Sequence, residues 1–464
     1  MYYRAIVIGW LILAAGISAA SARKVKFAAA NTTSSGILHT SRVAVGDFNR
    51  DGIPDLAISS TYNQVAVFLG NGDGTFTGPT IYNLTFYVTG SVAVGDFNGD
   101  GILDLAAVGG DTSGNGLAFF AGIGDGTFSP PVYFQTTLAG SSITAVPAHF
   151  TQNLDLFVGG NGSCEVLLGN SAGGFTNGQL EGVYGFGVAV GDFNNDGNLD
   201  VATTQVYPDF NPTGVSVLLG NGDGTFQSPQ QYSGMGSPTG IAAGYFSGGT
   251  NLDLAVTDYI SAVVDIFQGN GDGTFTNIGQ WIAGNEPGSV AVSDFNVDGN
   301  ADLAVADYGG GGVVVLPGQG NGTFPAPQYI PTGNGPSDLA AVDLNNDGAT
   351  DLVVVNNVDN TFSVLLNLAG TYVQLTSSPN PSQVGQTVTF VATVSGSVNT
   401  SAVPTGTVLF RNGGNSLASV ALSNGTASFS TSSLNSGPHT VTATYEGDKN
   451  FNPHRSASLV QDVK

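Results

Sequence analysis

The 464-residue chain is 41% hydrophobic but only 9% charged, and 69 of its residues are glycine; soluble domains are usually about 25% charged. Its richness in Val, Leu and Phe excludes an acidic disordered chain and suits many short strands joined by tight turns. A formal net charge of −24, with no Lys or Arg in residues 51–410, excludes partners that must be met with cationic side chains, namely nucleic acid and anionic membranes.

The first 22 residues read as a secretory signal peptide. Arg4 supplies a positive start, residues 5–17 an apolar run, and Ala20, Ser21 and Ala22 a small-residue cleavage site. An uncleaved membrane anchor is the alternative, although the apolar run is short for a spanning helix. Export to the periplasm, the cell surface or the medium is expected, with no membrane insertion after cleavage. The mature chain from Arg23 carries nine basic and 34 acidic residues, a net of −25. Cys164 is the only cysteine, so no intramolecular disulfide forms, and it reads as a buried free thiol.

A repeat then runs through most of the chain. Residues 47–55 (DFNRDGIPD) recur as 96–104 (DFNGDGILD), 192–200 (DFNNDGNLD), 294–302 (DFNVDGNAD) and 343–351 (DLNNDGATD). Degraded copies lie at 149–155 (HFTQNLD) and 245–253 (YFSGGTNLD), making seven units about 49 residues apart. A second motif keeps step, as LGNGDGTF at 69–76 and 219–226 with variants between, and several copies continue as F-x-x-P-x-x-Y. Each unit reads as four short strands, because five-residue apolar or alternating runs between Gly/Asn/Asp clusters mark strands. Four-stranded units arranged about an axis make a β-propeller, which closes on itself and protects its sheet edges. Seven blades over residues 23–373 are expected, with an open solenoid as the alternative. The small residue before the first aspartate (Gly46, Gly95, Gly191) suits the crowding of innermost strands.

These motifs resemble the FG-GAP/VCBS repeat family, calcium-loop propellers that include the integrin α-subunit head and many bacterial exported proteins. The resemblance covers roughly residues 25–373 and implies both the propeller and calcium in its loops. The residues suit that metal on their own account. In D-x-N-x-D-G-x-x-D, side-chain oxygens fall at positions 1, 3 and 5, position 7 can offer its backbone carbonyl, and position 9 adds a carboxylate. Hard oxygens at this density match Ca²⁺. The expected sets are Asp47, Asn49, Asp51, Ile53 and Asp55; Asp96, Asn98, Asp100, Ile102 and Asp104; Asp192, Asn194, Asp196, Asn198 and Asp200; Asp294, Asn296, Asp298, Asn300 and Asp302; and Asp343, Asn345, Asp347, Ala349 and Asp351. About five structural Ca²⁺ ions are therefore expected, and the two degraded loops should be empty. Solvated Asx-turns without metal are the alternative. Asp73, Asp125, Asp223 and Asp272 of the second motif are expected to shape turns instead of forming another metal set.

After Tyr372 the composition shifts to Ser, Thr and Val. Alternating strands with Asn-Gly turns at 412–413 and 424–425 suit an immunoglobulin-like β-sandwich over 374–464. The stretch resembles the bacterial Ig-like repeat, whose members serve as spacers or adhesion modules.

The strand connections put the acidic loops and the Gly-rich turns on one face of the propeller. In integrin-type propellers the other face binds ligand, and here it would display Tyr62, Asp111, Tyr207, Asp258, Tyr259, Asp307 and Tyr308. Asn63, Asp209, Glu286, Asn357 and Asp359 would lie beside them. Rings with adjacent carboxylates and amides suit sugars. Ordinary exposed turn residues are the alternative for each. Some calcium propellers are lyases or dehydratases, but this one has only His39 and His149 as imidazoles and no basic residue after Arg50, so no catalysis is expected. The expected function is an exported binding or adhesion module for a glycan or surface protein. A structural scaffold of an envelope assembly is the alternative, with a carbohydrate-active lyase or hydrolase behind it.

Overall fold

The computed structural model describes residues 25–464 except 87–90, 112–113, 148–153, 161, 171, 184, 206–212, 326, 369–370, 397–402, 449–450 and 452. The signal peptide, His149, Tyr207, Asp209 and the side chain of Asp111 therefore lie outside the described residues. Among the described residues there are seven four-stranded antiparallel sheets followed by a sandwich of two further sheets, and no helix is long and apolar enough to cross a membrane. The fold is all-β: a seven-bladed β-propeller followed by an immunoglobulin-like domain.

Blade 1 shows how the sequence builds each unit. Its strands are Thr40–Gly46, Asp55–Ser60, Gln64–Gly70 and Phe76–Asn83, paired in that order from the axis outward. The second strand (DLAISS) is buried at every residue, because it is flanked in its own sheet and covered on both faces by neighbouring blades. The fourth carries only exposed and half-buried residues, as a rim strand should. Gly46 is small because a Cβ there would come within 2.8 Å of Phe48, 2.9 Å of Leu103 and 3.0 Å of Val94. The crowding thus comes from Phe48 of its own blade and from Val94 and Leu103 of the next, and not from the axis itself.

The motifs that keep step in the sequence interlock between blades. The Phe after the first aspartate is buried and meets the Phe of the next blade's Gly-rich turn edge to face. Phe48–Phe128, Phe97–Phe175, Phe193–Phe275 and Phe246–Phe324 have ring centroids 5.3, 5.8, 5.4 and 6.1 Å apart. Where F-x-x-P-x-x-Y is complete, its tyrosine oxygen accepts the N–H of the same turn Phe: Phe128 to Tyr82 and Phe275 to Tyr232, both at 2.9 Å.

Blade 7 lacks that turn Phe, and its rim strand comes from the other end of the chain. Asn31–Ser34 pairs antiparallel with Thr361–Leu365, so the N-terminal strand closes the ring. Phe27, carried in with it, takes the vacant aromatic place against Phe295 at 5.9 Å. The segment after blade 7 instead enters the sandwich. Thr371–Ser378 pairs with Val388–Gly396, so the second domain starts a few residues before position 374. Its core is Phe390, Phe410, Val441 and Tyr445, all fully buried between the two sheets.

Candidate metal loops and ligand face

Each acidic loop turns its side-chain oxygens inward onto its own backbone. In loop 1, Asp47 Oδ1 and Asn49 Oδ1 both lie 3.0 Å from the N–H of Asp51, and Asp47 Oδ2 accepts from Gly52 at 2.9 Å. The same pair of oxygens meets on the N–H of Asp100, of Asp196 and of Asp347. Positions 1 and 3 are thus held together in four loops. Loop 6 departs from them: Asp294 accepts from Asp298, but Asn296 is buried and turns toward Asp302, with Nδ2 to Oδ1 at 3.4 Å.

The donor chemistry fits a hard divalent cation. Three carboxylates lie within nine residues of each complete loop, and the one ion pair shown among the described residues, Arg42–Asp338, is elsewhere. No three His, Cys, Asp or Glu side chains converge into a ready cage among the described residues. In loops 1, 2, 4 and 7 calcium would be held by positions 1, 3 and 5 and the carbonyl of position 7, whereas in loop 6 Asn296 is turned away from that set. When bound, the ion would neutralise the loop and fix its hairpin.

The ninth position has a second duty that its spacing did not reveal. Asp55, Asp104, Asp155, Asp200, Asp253, Asp302 and Asp351 are all buried. In every blade, Oδ1 accepts the N–H at the end of the third strand, from Gly70 in blade 1 to Asn367 in blade 7, at 2.7–2.9 Å. In six of them Oδ2 accepts the N–H of position 2 at 2.8–3.0 Å. This carboxylate staples the acidic loop to the Gly-rich turn. The signal was present in the sequence, since both degraded loops keep only this acid.

Loop 7 alone is covered. Asn345, Asp347 and Ala349 are buried, whereas Asp51, Asp100, Asp196 and Asp298 are exposed. The cover is the Ig-like domain: Thr371 donates its N–H to the Asp347 carbonyl and Tyr372 its hydroxyl to the Asn345 carbonyl, both at 3.0 Å. His454 stands against Tyr372, with ring centroids 6.5 Å apart. Burial raises the Tyr372 hydroxyl's pKa, to which Asp347 and Asp343 add, and burial lowers that of His454.

The Gly-rich turns need no metal. Asp73 Oδ1 accepts the N–H of Thr75 at 2.9 Å and its hydroxyl at 2.5 Å, and these bonds hold the carboxyl below its ordinary pKa. Asp125 and Asp272 do the same with Thr127 and Thr274. Asp73→Ala should cost about 1 kcal/mol of stability in calcium and in chelator alike, a single Asx-turn's worth. A calcium-dependent loss in a urea titration would reverse that assignment.

On the opposite face, two expected ligand residues prove to be internal. Asp258 is buried and accepts N–H groups from Gly236, Ser237 and Ser261 at 2.6–3.1 Å. Asp307 is buried and accepts from Asn285 and Gly310 at 2.6 and 3.0 Å. They fold the inter-blade loops and are not displayed, because the turns curl back over them. Tyr62 is exposed, edge-on to His39 at 4.8 Å. Tyr259 and Tyr308 are half-buried near Glu286, whose charge adds to desolvation in raising the Tyr259 hydroxyl's pKa. Asn357 bonds the Thr40 carbonyl, and Asp359 bonds Asn334. The sequence reading missed the apolar side chains that this face exposes: Leu38 at 61%, Phe186 at 40%, Ile260 at 72% and Val358 at 58%. Single apolar residues in turns carry no periodicity to mark them.

Cys164 is buried, its thiol 3.3 Å from the Val183 carbonyl, and desolvation pushes its pKa up to about 12. It should resist a thiol reagent at pH 8 until the propeller unfolds. Modification of the native protein at the rate of a free thiol would refute this burial.

Residues 47–107, 151–203 and 294–354 match the FG-GAP-like repeat, and residues 375–464 match the bacterial Ig-like domain (group 3). No curated protein sequence matches the chain significantly. Among solved structures, it is similar to BBS1N in complex with ARL6DN, soaked with lead, with TM-score 0.53 and 14% identity over 74% of this chain and 97% of that one. The mercury-soaked form gives TM-score 0.53 and 12% identity over 73% and 96%. These likenesses show the propeller fold. An Agrocybe aegerita lectin, described for recognition of non-reducing terminal N-acetylglucosamine, gives TM-score 0.46 and 19% identity over 64% and 81%.

Proposed function

We propose that this chain, a propeller of FG-GAP-like repeats carrying a bacterial Ig-like domain, is an exported calcium-binding module that recognises a glycan or a surface protein. One observation carries the reading. The face opposite the acidic loops exposes Leu38, Tyr62, Phe186, Ile260 and Val358 in loops that differ from blade to blade. Loops that vary from blade to blade and expose apolar side chains suit contact with a partner. The other face is committed to repeated loops that build the blades, so calcium acts there as a structural ion.

Rings beside polar side chains, such as Tyr62 by His39 and Tyr259 by Glu286, favour a sugar over a flat protein epitope. The Ig-like domain would act as a spacer that presents the propeller, and no catalytic step is assigned to either domain. The test is a glycan array probed with the mature protein, in calcium and in EDTA. Binding to a restricted set of glycans, weakened in EDTA as the blades loosen, supports the reading. No binding to any glycan overturns its carbohydrate half and leaves a protein partner to be sought by cross-linking at the cell surface.

A further inference from the structure

The innermost strands bring seven equivalent positions to the axis, each five residues before the first loop position, with blade 3 aligned by its strand pairing. Five of them are small: Ser91, Ser142, Gly187, Gly240 and Ser289. The remaining two, in the adjacent blades 1 and 7, are Arg42 and Asp338. All seven line one cavity of about 200 Å³, and Phe186 lines it too. The strands run from the varied face toward the acidic loops, so the cavity lies at the varied-face end of the axis.

We propose that this axial cavity is a sugar-binding site, which takes one terminal residue of a neutral glycan. The inference rests on the carbohydrate reading above and names its site. At two of the five, Gly187 and Gly240, a Cβ would meet the next blade's backbone, 2.5 Å from the Thr239 carbonyl and 2.4 Å from that of Gly288, so neither sends a side chain into the space. Arg42 Nη1 lies 3.3 Å from Asp338 Oδ1, and Asp338 Oδ2 also accepts the N–H of Val43 at 2.9 Å, so the carboxylate is fixed from behind. The pair offers donor and acceptor side by side with no net charge. That arrangement matches vicinal sugar hydroxyls, each of which donates and accepts. An anion would meet Asp338, and a cation would meet Arg42. Phe186, 40% exposed, supplies an aromatic wall for the C–H face of the ring.

The experiment uses the full mature chain on a printed array of defined glycans. It then titrates the free methyl glycosides of mannose, galactose and glucose in solution against the wild type and three variants. Ser289→Tyr, which plugs the cavity, should abolish binding. Phe186→Ala should weaken it about tenfold, the worth of one stacked ring. Tyr245→Ala, an exposed residue on the acidic-loop side, should leave it unchanged. Melting temperatures confirm that each variant is folded; if Ser289→Tyr fails to fold, Phe186→Ala still reads the site. Glycan binding by the wild type that survives both cavity variants overturns the axial site while sparing the carbohydrate reading. Absence of binding by the wild type overturns both. Preference for a zwitterionic amino acid over every glycoside also overturns the proposal.

Discussion

Replacing Asp253 by alanine should lower the stability of the propeller by roughly 3–6 kcal/mol, and by the same amount in calcium and in EDTA. Asp253 sits in a degraded loop without the other acids, so no metal set is disturbed. Its carboxylate accepts N–H groups from Phe246, Ser247 and Gly269 at 2.9, 2.8 and 2.9 Å, and the Ser247 hydroxyl at 3.2 Å. It is 1% exposed, so water cannot replace it. Each buried donor left unsatisfied costs about 1–3 kcal/mol, so the three N–H groups set the lower bound, and local relaxation keeps the upper bound below their full sum. Asp51→Ala is the contrast. That side chain is exposed, and in EDTA its loss should cost under about 1 kcal/mol. The urea midpoint followed by circular dichroism reads both. Equal losses for the two variants in EDTA would show that the ninth-position carboxylate is not a staple.

Removing calcium should lower the melting temperature and undock the Ig-like domain, with a characteristic dependence on pH. At a thousandfold excess over its dissociation constant, one bound ion adds about 4 kcal/mol. Desolvation, with help from neighbouring aspartates, pushes the Asp302 and Asp351 carboxyls up to about 7. Their folded pKa lies above the unfolded one near 4, so the metal-free fold binds these protons more tightly than the unfolded chain does. In EDTA, stability should therefore rise as pH falls from about 7 toward 4, and be lost as pH climbs back through 7. Calcium needs the ionised form, so its added stability should be greater at pH 8 than at pH 5. An increment independent of pH would exclude these carboxylates as ligands.

Undocking follows from loop 7. The Ig-like domain buries Asp347, and a buried carboxylate needs compensating charge. Calcium at this loop would supply it, so Asp343→Ala should expose the junction between the domains to limited proteolysis in calcium, and EDTA should do the same to the wild type. Protection unchanged in both would separate the contact from the metal.

The blades were legible in the sequence because their determinants are local. A strand, an acidic turn, a strand and a Gly-rich turn repeat within about 49 residues, and each motif fixes its own hairpin. The phenylalanines that follow Asp47, Asp96 and Asp192 were visible as part of that motif, though not their partners one blade away. Even the staple was half legible, since Asp155 and Asp253 persist where the other acids have gone.

By itself the sequence determined the repeat, the four-strand unit, the second domain and the oxygen-rich loops, all set by spacing along the chain. Only the tertiary structure decided what meets across the ring. It brought Asn31–Ser34 to blade 7, 327 residues from the partner of its last residue (Ser34 with Thr361). It buried Asp258 and Asp307 under their own turns, laid the Ig-like domain on loop 7, and set Arg42 beside Asp338 in a cavity that serines and glycines of the other blades also line. Closing a ring joins positions that are remote in the chain, and burial in the closed ring depends on which side chains the neighbouring blade supplies. No local pattern encodes either.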